Sequence, residues 1–324
     1  MRNKSMNAAS SPFALRDAAP IKPEKFTHPL KTADGSERAF VKLDGLETLW
    51  FNTGTLCNLE CKGCYIESSP RNDALVYITL DEVRGYLDEI ADLSLSTAEI
   101  AFTGGEPFMN PDMIPIIELC LARGFEVLVL SNAMRPMRRF EDQLLALEHR
   151  ERLTIRVSLD HYTKDIHEAE RGPSWDKAID GLVWLSENDF NIAIAGRQLE
   201  TESEADARQG FGDLFVQLGL ALNAQDPAQM VVFPEMDEQA DVPEISTGCW
   251  DILDVRPSSA MCSSSRMVVK RKGEATPRVA ACTLLPYHSD FDMGETLSEA
   301  SRAVQLNHPH CARFCVLGGA SCSA

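Results

Sequence analysis

Short apolar runs alternate with longer amphipathic stretches from about Leu46 onward. The short runs have the length and residue content of strands, whereas the longer ones have helical spacing. Because six strands alternate with helices, the pattern predicts a parallel sheet with right-handed crossovers. The six predicted strands are Thr48–Asn52, Glu99–Phe102, Glu126–Leu130, Thr154–Ser158, Asn191–Ala195 and Met230–Phe233.

The helical stretches carry recognisable ends. Thr79 begins a helix through about Leu93, and Glu82 completes a capping box. A second helix ends at Gly124, which is a typical C-terminal stop. The full fold prediction is an α/β class protein, a partial (β/α)6 TIM barrel, with its active site at the carboxyl ends of the strands. The second helix is Pro111–Arg123, and the other predicted helices are Arg139–His149, Trp175–Glu187 and Ser203–Leu220.

Three segments differ in composition. Residues 1–45 are rich in Ser, Ala, Pro and Lys, which favours a partly ordered N-terminal arm. The alternative for this arm is a segment that covers the barrel mouth or docks a partner. Residues 46–235 form the predicted barrel, and residues 236–324, where six cysteines are concentrated, form a small cysteine-rich C-terminal domain.

Charge and cysteine content narrow the class of protein. The chain has 324 residues with 49 acidic and 31 basic side chains, a formal net charge of −18. Such a balance disfavours nucleic acid as a partner, because binding to it depends on Lys and Arg contacts with phosphates. No apolar run is long enough for a bilayer or has the form of a signal peptide, so we expect a cytoplasmic protein. In that reducing compartment, ten cysteines indicate metal or catalysis rather than disulfides.

A three-cysteine loop directly follows the first predicted strand. Cys57, Cys61 and Cys64 have the spacing Cys-x3-Cys-x2-Cys. Three thiolates are one fewer than a cubane iron–sulfur cluster needs, so one iron would keep an open position for an external ligand. The alternative is a zinc site, which wants a fourth protein ligand that is not found nearby.

A second motif follows the second strand, as Gly104-Gly105-Glu106-Pro107. The glycines let backbone approach a ligand closely, and the carboxylate can accept a hydrogen bond from an ammonium group. Together, the two motifs resemble the radical SAM (S-adenosylmethionine) superfamily. The resemblance implies a 4Fe–4S cluster on the three cysteines and SAM bound to its open iron, with Gly104, Gly105 and Glu106 holding the amino group of SAM. Gly63 departs from the family, because many members carry an aromatic residue there.

The resemblance implies further contacts to SAM at the later strand ends. Asn132 lies in a turn similar to the family's Thr-Asn-Gly turn, although an ordinary Asn turn would look the same. The oxygens of Ser158 and Asp160 can bind ribose hydroxyls or substrate. Arg171 matches a cation near the SAM carboxylate, with a surface arginine as the alternative, and Gly196 ends the strand where relatives pack the adenine.

The C-terminal cysteines resemble SPASM and twitch domains, which bind auxiliary iron–sulfur clusters. Their number favours one auxiliary 4Fe–4S cluster, while a structural zinc remains the alternative. Cys262 and Cys282 flank a predicted hairpin around Gly273, Cys249 is a spare or catalytic thiol, and Cys120 is a core residue. The preferred ligands are Cys262, Cys282, Cys315 and Cys322, with Cys311 as a close substitute.

The implied reaction is reductive cleavage of SAM to a 5′-deoxyadenosyl radical, which abstracts hydrogen from a substrate in a net oxidation or bond-forming step. No catalytic residue is expected beyond the cluster and SAM. The substrate is a peptide or a small molecule, and the electron donor is a flavodoxin- or ferredoxin-type protein. Two alternatives are an iron–sulfur carrier or electron-transfer protein that binds SAM without turnover and a zinc-stabilised interaction protein.

Overall fold

An eight-stranded sheet forms the centre of the computed structural model, which describes residues 11–15, 18–234 and 237–319. Its strand order is β7-β6-β5-β4-β3-β2-β8-β9, and β2 to β7 are mutually parallel. The predicted six-unit parallel sheet is therefore confirmed. In chain order, the strands are β1 Phe40–Val41, β2 Thr48–Asn52, β3 Glu99–Thr103, β4 Glu126–Ser131, β5 Leu153–Ser158, β6 Asn191–Arg197, β7 Met230–Phe233, β8 Ser265–Val269, β9 Arg278–Ala280 and β10 Val304–Gln305.

Helices fill the crossovers between the parallel strands. None of those within the described ranges is long and apolar enough to cross a bilayer. The α-helices are α1 Leu80–Asp92, α2 Met113–Ala122, α3 Arg135–Arg138, α4 Glu141–Ala146, α5 Lys164–Arg171, α6 Trp175–Glu187, α7 Glu204–Leu218 and α8 Cys249–Leu253. Short 3-10 helices cover Pro107–Met109, Arg150–Arg152, Pro257–Ser259, Met261–Ser263, Ser289–Phe291 and Glu299–Ser301, and Cys311–Leu317 is a π-helix.

The helix ends follow the local sequence signals. At α1, the Glu82 amide donates to Thr79 Oγ1 at 3.3 Å and the Thr79 amide donates to Glu82 Oε2 at 2.9 Å, so the predicted capping box is present. The helix predicted over residues 139–149 is present but shorter, as α4, and α3 before it was not predicted. Helix α5 was not predicted.

The core lies on both faces of the sheet. All five residues of β2 are buried, as expected for a parallel strand covered on two sides. Phe51 stacks on Phe102 of β3 with ring centroids 5.7 Å apart and meets the edge of Tyr86 at 6.0 Å. Full burial of each such aromatic side chain stabilises the fold by roughly 2–3 kcal/mol.

The C-terminal region joins the same sheet. Strands β8 and β9 form the antiparallel hairpin predicted around Gly273. The sequence did not predict that β8 would also pair in parallel with β2, with Leu49 opposite Arg266. This pairing places the cysteine-rich region beside the first barrel strand, whereas the division of domains at residue 235 stays a prediction.

Candidate iron–sulfur and SAM site

The carboxyl ends of the parallel strands surround one cavity. Its volume is about 160 Å³, counted as the space open to the centre of a water-sized sphere. On the same measure one water molecule needs about 15 Å³, so the cavity has room for a much larger ligand. Because parallel strands end at one edge, motifs far apart in sequence meet there. The predicted residues that line it are Cys57, Cys61, Cys64, Gly104, Gly105, Asn132, Ser158, Asp160, Arg171 and Gly196.

The three thiols of the cysteine loop lie at this cavity. The Leu59 amide donates to Cys57 Sγ at 3.4 Å, as a backbone amide near a thiolate ligand would. Burial, with smaller contributions from the neighbouring thiols, raises the pKa of Cys57 and of Cys61 to about 12. Metal ligation requires thiolates, so iron must displace these protons when it binds.

The donor set fits a cluster. Among the described residues, no three His, Cys, Asp or Glu side chains converge tightly enough to hold one metal ion. A cubane instead spreads its ligands over separate irons, and three thiols around a cavity suit that arrangement. Cys57, Cys61 and Cys64 would hold three irons, and the cavity gives the fourth iron access to a ligand.

The glycine pair fastens the cysteine loop to the end of β3. The Gly105 amide donates to the Gly54 carbonyl at 2.8 Å, and the Glu106 amide donates to the Leu56 carbonyl at 3.1 Å. Gly104 has φ +137°, and a Cβ there would lie 2.5 Å from the Gly54 oxygen. Side chains are therefore excluded at this contact, and the motif has a structural function in addition to the predicted ligand contact.

The Glu106 side chain is buried and engaged by the turn after β4. Its carboxylate accepts hydrogen bonds from Ser131 Oγ at 2.9 Å, the Asn132 amide at 2.9 Å and the Phe108 amide at 3.2 Å. Burial raises the pKa of Glu106 to about 7, although these three donors pull it down. Glu106 thus positions Asn132, whose Nδ2 donates to Asn58 Oδ1 of the cysteine loop at 2.9 Å.

Asp160 and Arg171 form a buried, two-pronged ion pair. Arg171 Nε donates to Asp160 Oδ2 at 2.7 Å and Nη2 donates to Oδ1 at 3.2 Å. Burial alone would raise the pKa of Asp160, but Arg171 and Arg197 more than offset this, and the pKa is lower than usual. The sequence predicted separate contacts to SAM, whereas the two side chains also orient each other at the cavity wall.

Two residues at the cavity were not predicted from the sequence, Glu170 and Arg197. Both line the cavity, and Arg197 Nη1 donates to Glu170 Oε1 at 3.0 Å. Each is the sequence neighbour of a residue that was predicted, Arg171 or Gly196. An opposite-charge pair beside two predicted site residues was the available signal.

A second, smaller cavity lies among the C-terminal cysteines. Burial raises the pKa of Cys311 well above its usual value, and the nearby thiols raise it further. Leu284 lines both this cavity and the larger one. Cys322 lies outside the described residues. The four cysteines that line the second cavity are Cys262, Cys282, Cys311 and Cys315.

The two remaining described cysteines have other surroundings. Cys120 is fully buried in α2, as predicted for a core residue. Cys249 begins α8, where its sulfur accepts a hydrogen bond from the Ser246 amide at 3.3 Å. Its predicted role as a spare or catalytic thiol remains a prediction.

A partial barrel with three thiols at its mouth defines a class of protein, and a family model identifies that class. The model for the Radical SAM superfamily matches residues 51–207. This part of the chain is therefore similar to a radical SAM domain, and the cofactors of that family are a 4Fe–4S cluster and SAM.

Curated relatives match less than half of the chain. The antilisterial bacteriocin subtilosin biosynthesis protein AlbA of Bacillus subtilis is 32% identical over 141 residues, 43% of this chain and 30% of AlbA. The AdoMet-dependent heme synthase of Methanosarcina barkeri is 26% identical over 153 residues, 44% of this chain and 41% of the synthase. The matches thus span less than half the length of either relative.

Solved structures share the fold over a larger part of the chain. Streptococcus suis SuiB bound to S-adenosylmethionine has a TM-score of 0.56 at 12% identity, covering 78% of this chain and 63% of SuiB. SuiB bound to its precursor peptide SuiA gives the same TM-score at 11% identity. The similarity confirms the predicted partial TIM-barrel fold.

Proposed function

We propose that this protein is a radical SAM enzyme that modifies a peptide, with its cluster on Cys57, Cys61 and Cys64. The observation that carries the proposal is the meeting of these thiols with Gly104 and Gly105 in one cavity. When bound, the reduced cluster supplies the electron that cleaves SAM to methionine and a 5′-deoxyadenosyl radical, which abstracts hydrogen from the substrate.

The residues of this chain hold and enclose the reactants. Gly104 and Gly105 offer backbone to the amino group of SAM, and Arg171, oriented by Asp160, offers a guanidinium to its carboxylate. Ser158 and Asn132 add polar groups to the cavity lining, and the backbone at Gly196 would pack on the adenine. Apolar side chains also line the cavity and would keep water from the radical; they include Ile66, Leu130, Phe233, Leu284 and Phe314.

A peptide is the favoured substrate. The name of AlbA, the relative at 32% identity, refers to bacteriocin biosynthesis, which supports a peptide. The heme synthase at 26% identity supports a second candidate, a small molecule. In either case, we infer a net oxidation or bond formation.

We infer that a second 4Fe–4S cluster binds the C-terminal cysteines, in a SPASM- or twitch-like domain over residues 236–324. Four thiols around one cavity support this inference, and Cys322 stays a further candidate. Because Leu284 borders both cavities, they are neighbours, and this cluster could accept an electron from the substrate radical. The external electron donor would be a flavodoxin- or ferredoxin-type protein of the cytoplasm, where iron-binding thiols stay reduced.

The first test is anaerobic formation of 5′-deoxyadenosine. The reconstituted protein is mixed with SAM and dithionite beside the triple variant Cys57→Ala, Cys61→Ala, Cys64→Ala and the control Cys120→Ala, which loses a core thiol. We expect nucleoside from the native protein and the control but none from the triple variant. If the native protein binds SAM on a full cluster and yet forms none, it is a carrier.

The substrate class is tested by isotope transfer. Peptide and small-molecule fractions are prepared from cells grown on deuterated nutrients, and each is added to the assay. We expect deuterium in 5′-deoxyadenosine with the peptide fraction. Transfer from the small-molecule fraction alone would favour the second candidate.

A further inference from the structure

Gly63, between the second and third cysteines of the loop, lacks the aromatic side chain that many family members carry. Its amide donates to Glu170 Oε1 at 2.6 Å, and the Lys62 amide donates to the Glu170 carbonyl at 3.1 Å. A Cβ at position 63 would lie 2.9 Å from both terminal nitrogens of Arg197 and 3.0 Å from Glu170 Oε1. Charged groups thus occupy the space into which a side chain at position 63 would extend.

These charged groups form a buried pair. The side chain of Glu170 is 0% exposed and that of Arg197 is 11% exposed. A carboxylate shared by a guanidinium and a backbone amide makes strong, charge-assisted hydrogen bonds. Glu170 lies in the last turn of α5 beside Arg171, so one helix end contacts both the cysteine loop and Asp160.

The described part of the N-terminal arm completes this arrangement. Ser11 Oγ donates to Glu170 Oε2 at 2.7 Å. The fully buried Phe13 ring packs on Arg197, with its centroid 4.4 Å from Cζ. Glu170 therefore receives hydrogen bonds from the arm, from β6 and from the cysteine loop at once.

We propose that Glu170 is a positioning residue, which with Arg197 holds the Cys61–Cys64 turn in the geometry for cluster binding, and that Ser11 and Phe13 hold this pair in place. The inference rests on the proposed ligands Cys57, Cys61 and Cys64. A turn held by a buried charge loses less conformational freedom when it binds iron. Mutation of a group that hydrogen-bonds the segment around a metal ligand typically lowers metal affinity or activity about 10- to 100-fold. The arm is then part of the active site rather than a surface tail.

The test measures how firmly the cluster is held. Reconstituted native protein, Glu170→Gln and the control Glu168→Gln are exposed to an iron chelator. The EPR signal of the reduced SAM cluster is recognised because it shifts when SAM is added. The loss of this signal measures the loss of that cluster. Glu168 lies on the same helix but bonds the Trp175 amide instead of the loop. We expect cluster loss at least about 10-fold faster in Glu170→Gln and unchanged loss in Glu168→Gln.

Two variants keep the test decisive if Glu170→Gln does not fold. Ser11→Ala and Phe13→Leu leave Glu170 in place, and we expect each to speed cluster loss several-fold, by less than the full effect of removing the charge. Circular dichroism before the chelator is added shows whether each variant is folded. Native rates in a folded Glu170→Gln, or in both arm variants, would overturn the proposal.

A separate outcome would refute the ligand assignment. If Cys61→Ala keeps a SAM-responsive cluster of native stability, the proposed ligands are wrong and the positioning role falls with them. If Cys61→Ala loses the cluster while Glu170→Gln keeps it, the enzyme proposal stands and only the positioning role is wrong.

Discussion

The backbone of Gly105 packs directly on the carbonyl oxygen of Leu56, since a Cβ at position 105 would lie 2.0 Å from that oxygen. Neither partner is a flexible side chain, so an added methyl group must move the cysteine loop away from β3. We expect Gly105→Ala to lower the free energy of unfolding by about 3 kcal/mol, the upper range for overpacking, and to reduce iron content. Urea unfolding and iron analysis measure the two effects.

The control for this variant is Gly85→Ala in α1. Gly85 is exposed, and a Cβ there meets nothing within 4 Å. Alanine is the better helix former, so we expect this variant to gain about 0.5–1 kcal/mol with unchanged iron content. Equal behaviour of the two variants would contradict the loop contact.

Much of the fold and of the site was predictable because its signals are local. Strand periodicity marks six strands, and each predicted motif lies at the carboxyl end of one of them. Glu170 and Arg197 have only a weak local signal, their places beside Arg171 and Gly196, because their contacts depend on α5 and β6 meeting the loop at Gly63. The pairing of β8 with β2 could not be predicted from the sequence either, because the apolar pattern of a short strand does not identify the strand that it pairs with.

The ion pair of Asp160 and Arg171 gives a prediction about coupling. Removing one partner leaves the other charge buried, so Asp160→Ala and Arg171→Ala should each destabilise the fold by about 3–5 kcal/mol. The double variant leaves no unpaired charge, and its loss should be about 2 kcal/mol less than the sum of the single losses. Urea unfolding of the four proteins tests this, and additive losses would contradict it.

His167 gives a prediction about pH. Burial lowers the pKa of this α5 residue to about 4, with a further contribution from Arg171. Below its unfolded pKa of about 6.5, the unfolded chain gains a proton that the folded chain does not, so stability falls as pH falls from about 6.5 to 4. Lowering the pH from 7.5 to 5 should therefore reduce the free energy of unfolding by about 2 kcal/mol through His167.

The His167→Gln variant should lose this part of the pH dependence. Unfolding midpoints of the native protein and the variant at both pH values give the difference. His149→Gln is the control, because the His149 side chain is 55% exposed. If His167→Gln keeps the full acid sensitivity, another group causes it.

Arg266 gives a prediction about the second cavity. Its buried guanidinium donates to the carbonyls of Ala300 at 2.9 Å and Cys262 at 2.6 Å. Its Nη2 also donates to the Arg302 carbonyl at 3.1 Å. Arg266 therefore ties the backbone of the proposed ligand Cys262 to the later segment that contains Ala300 and Arg302. Lysine lacks the planar guanidinium group and cannot donate to all three carbonyls in this geometry.

We expect Arg266→Lys to bind about four iron atoms per chain instead of about eight, because each 4Fe–4S cluster holds four. The SAM-responsive EPR signal should persist, since the barrel cysteines are untouched. Arg84→Lys, at an exposed position, serves as the control. Native iron content in Arg266→Lys would contradict the role of this arginine.

The pairing of β2 with both β3 and β8 bears on how the protein is made. Strand β2 is synthesised before its second neighbour, which begins at Ser265, more than two hundred residues later. During translation, the edge of β2 that pairs with β8 therefore stays unpaired until β8 has been synthesised. The cluster can enter a fully paired site only after most of the chain has left the ribosome. Chaperones can bind the unpaired edge of β2 before then.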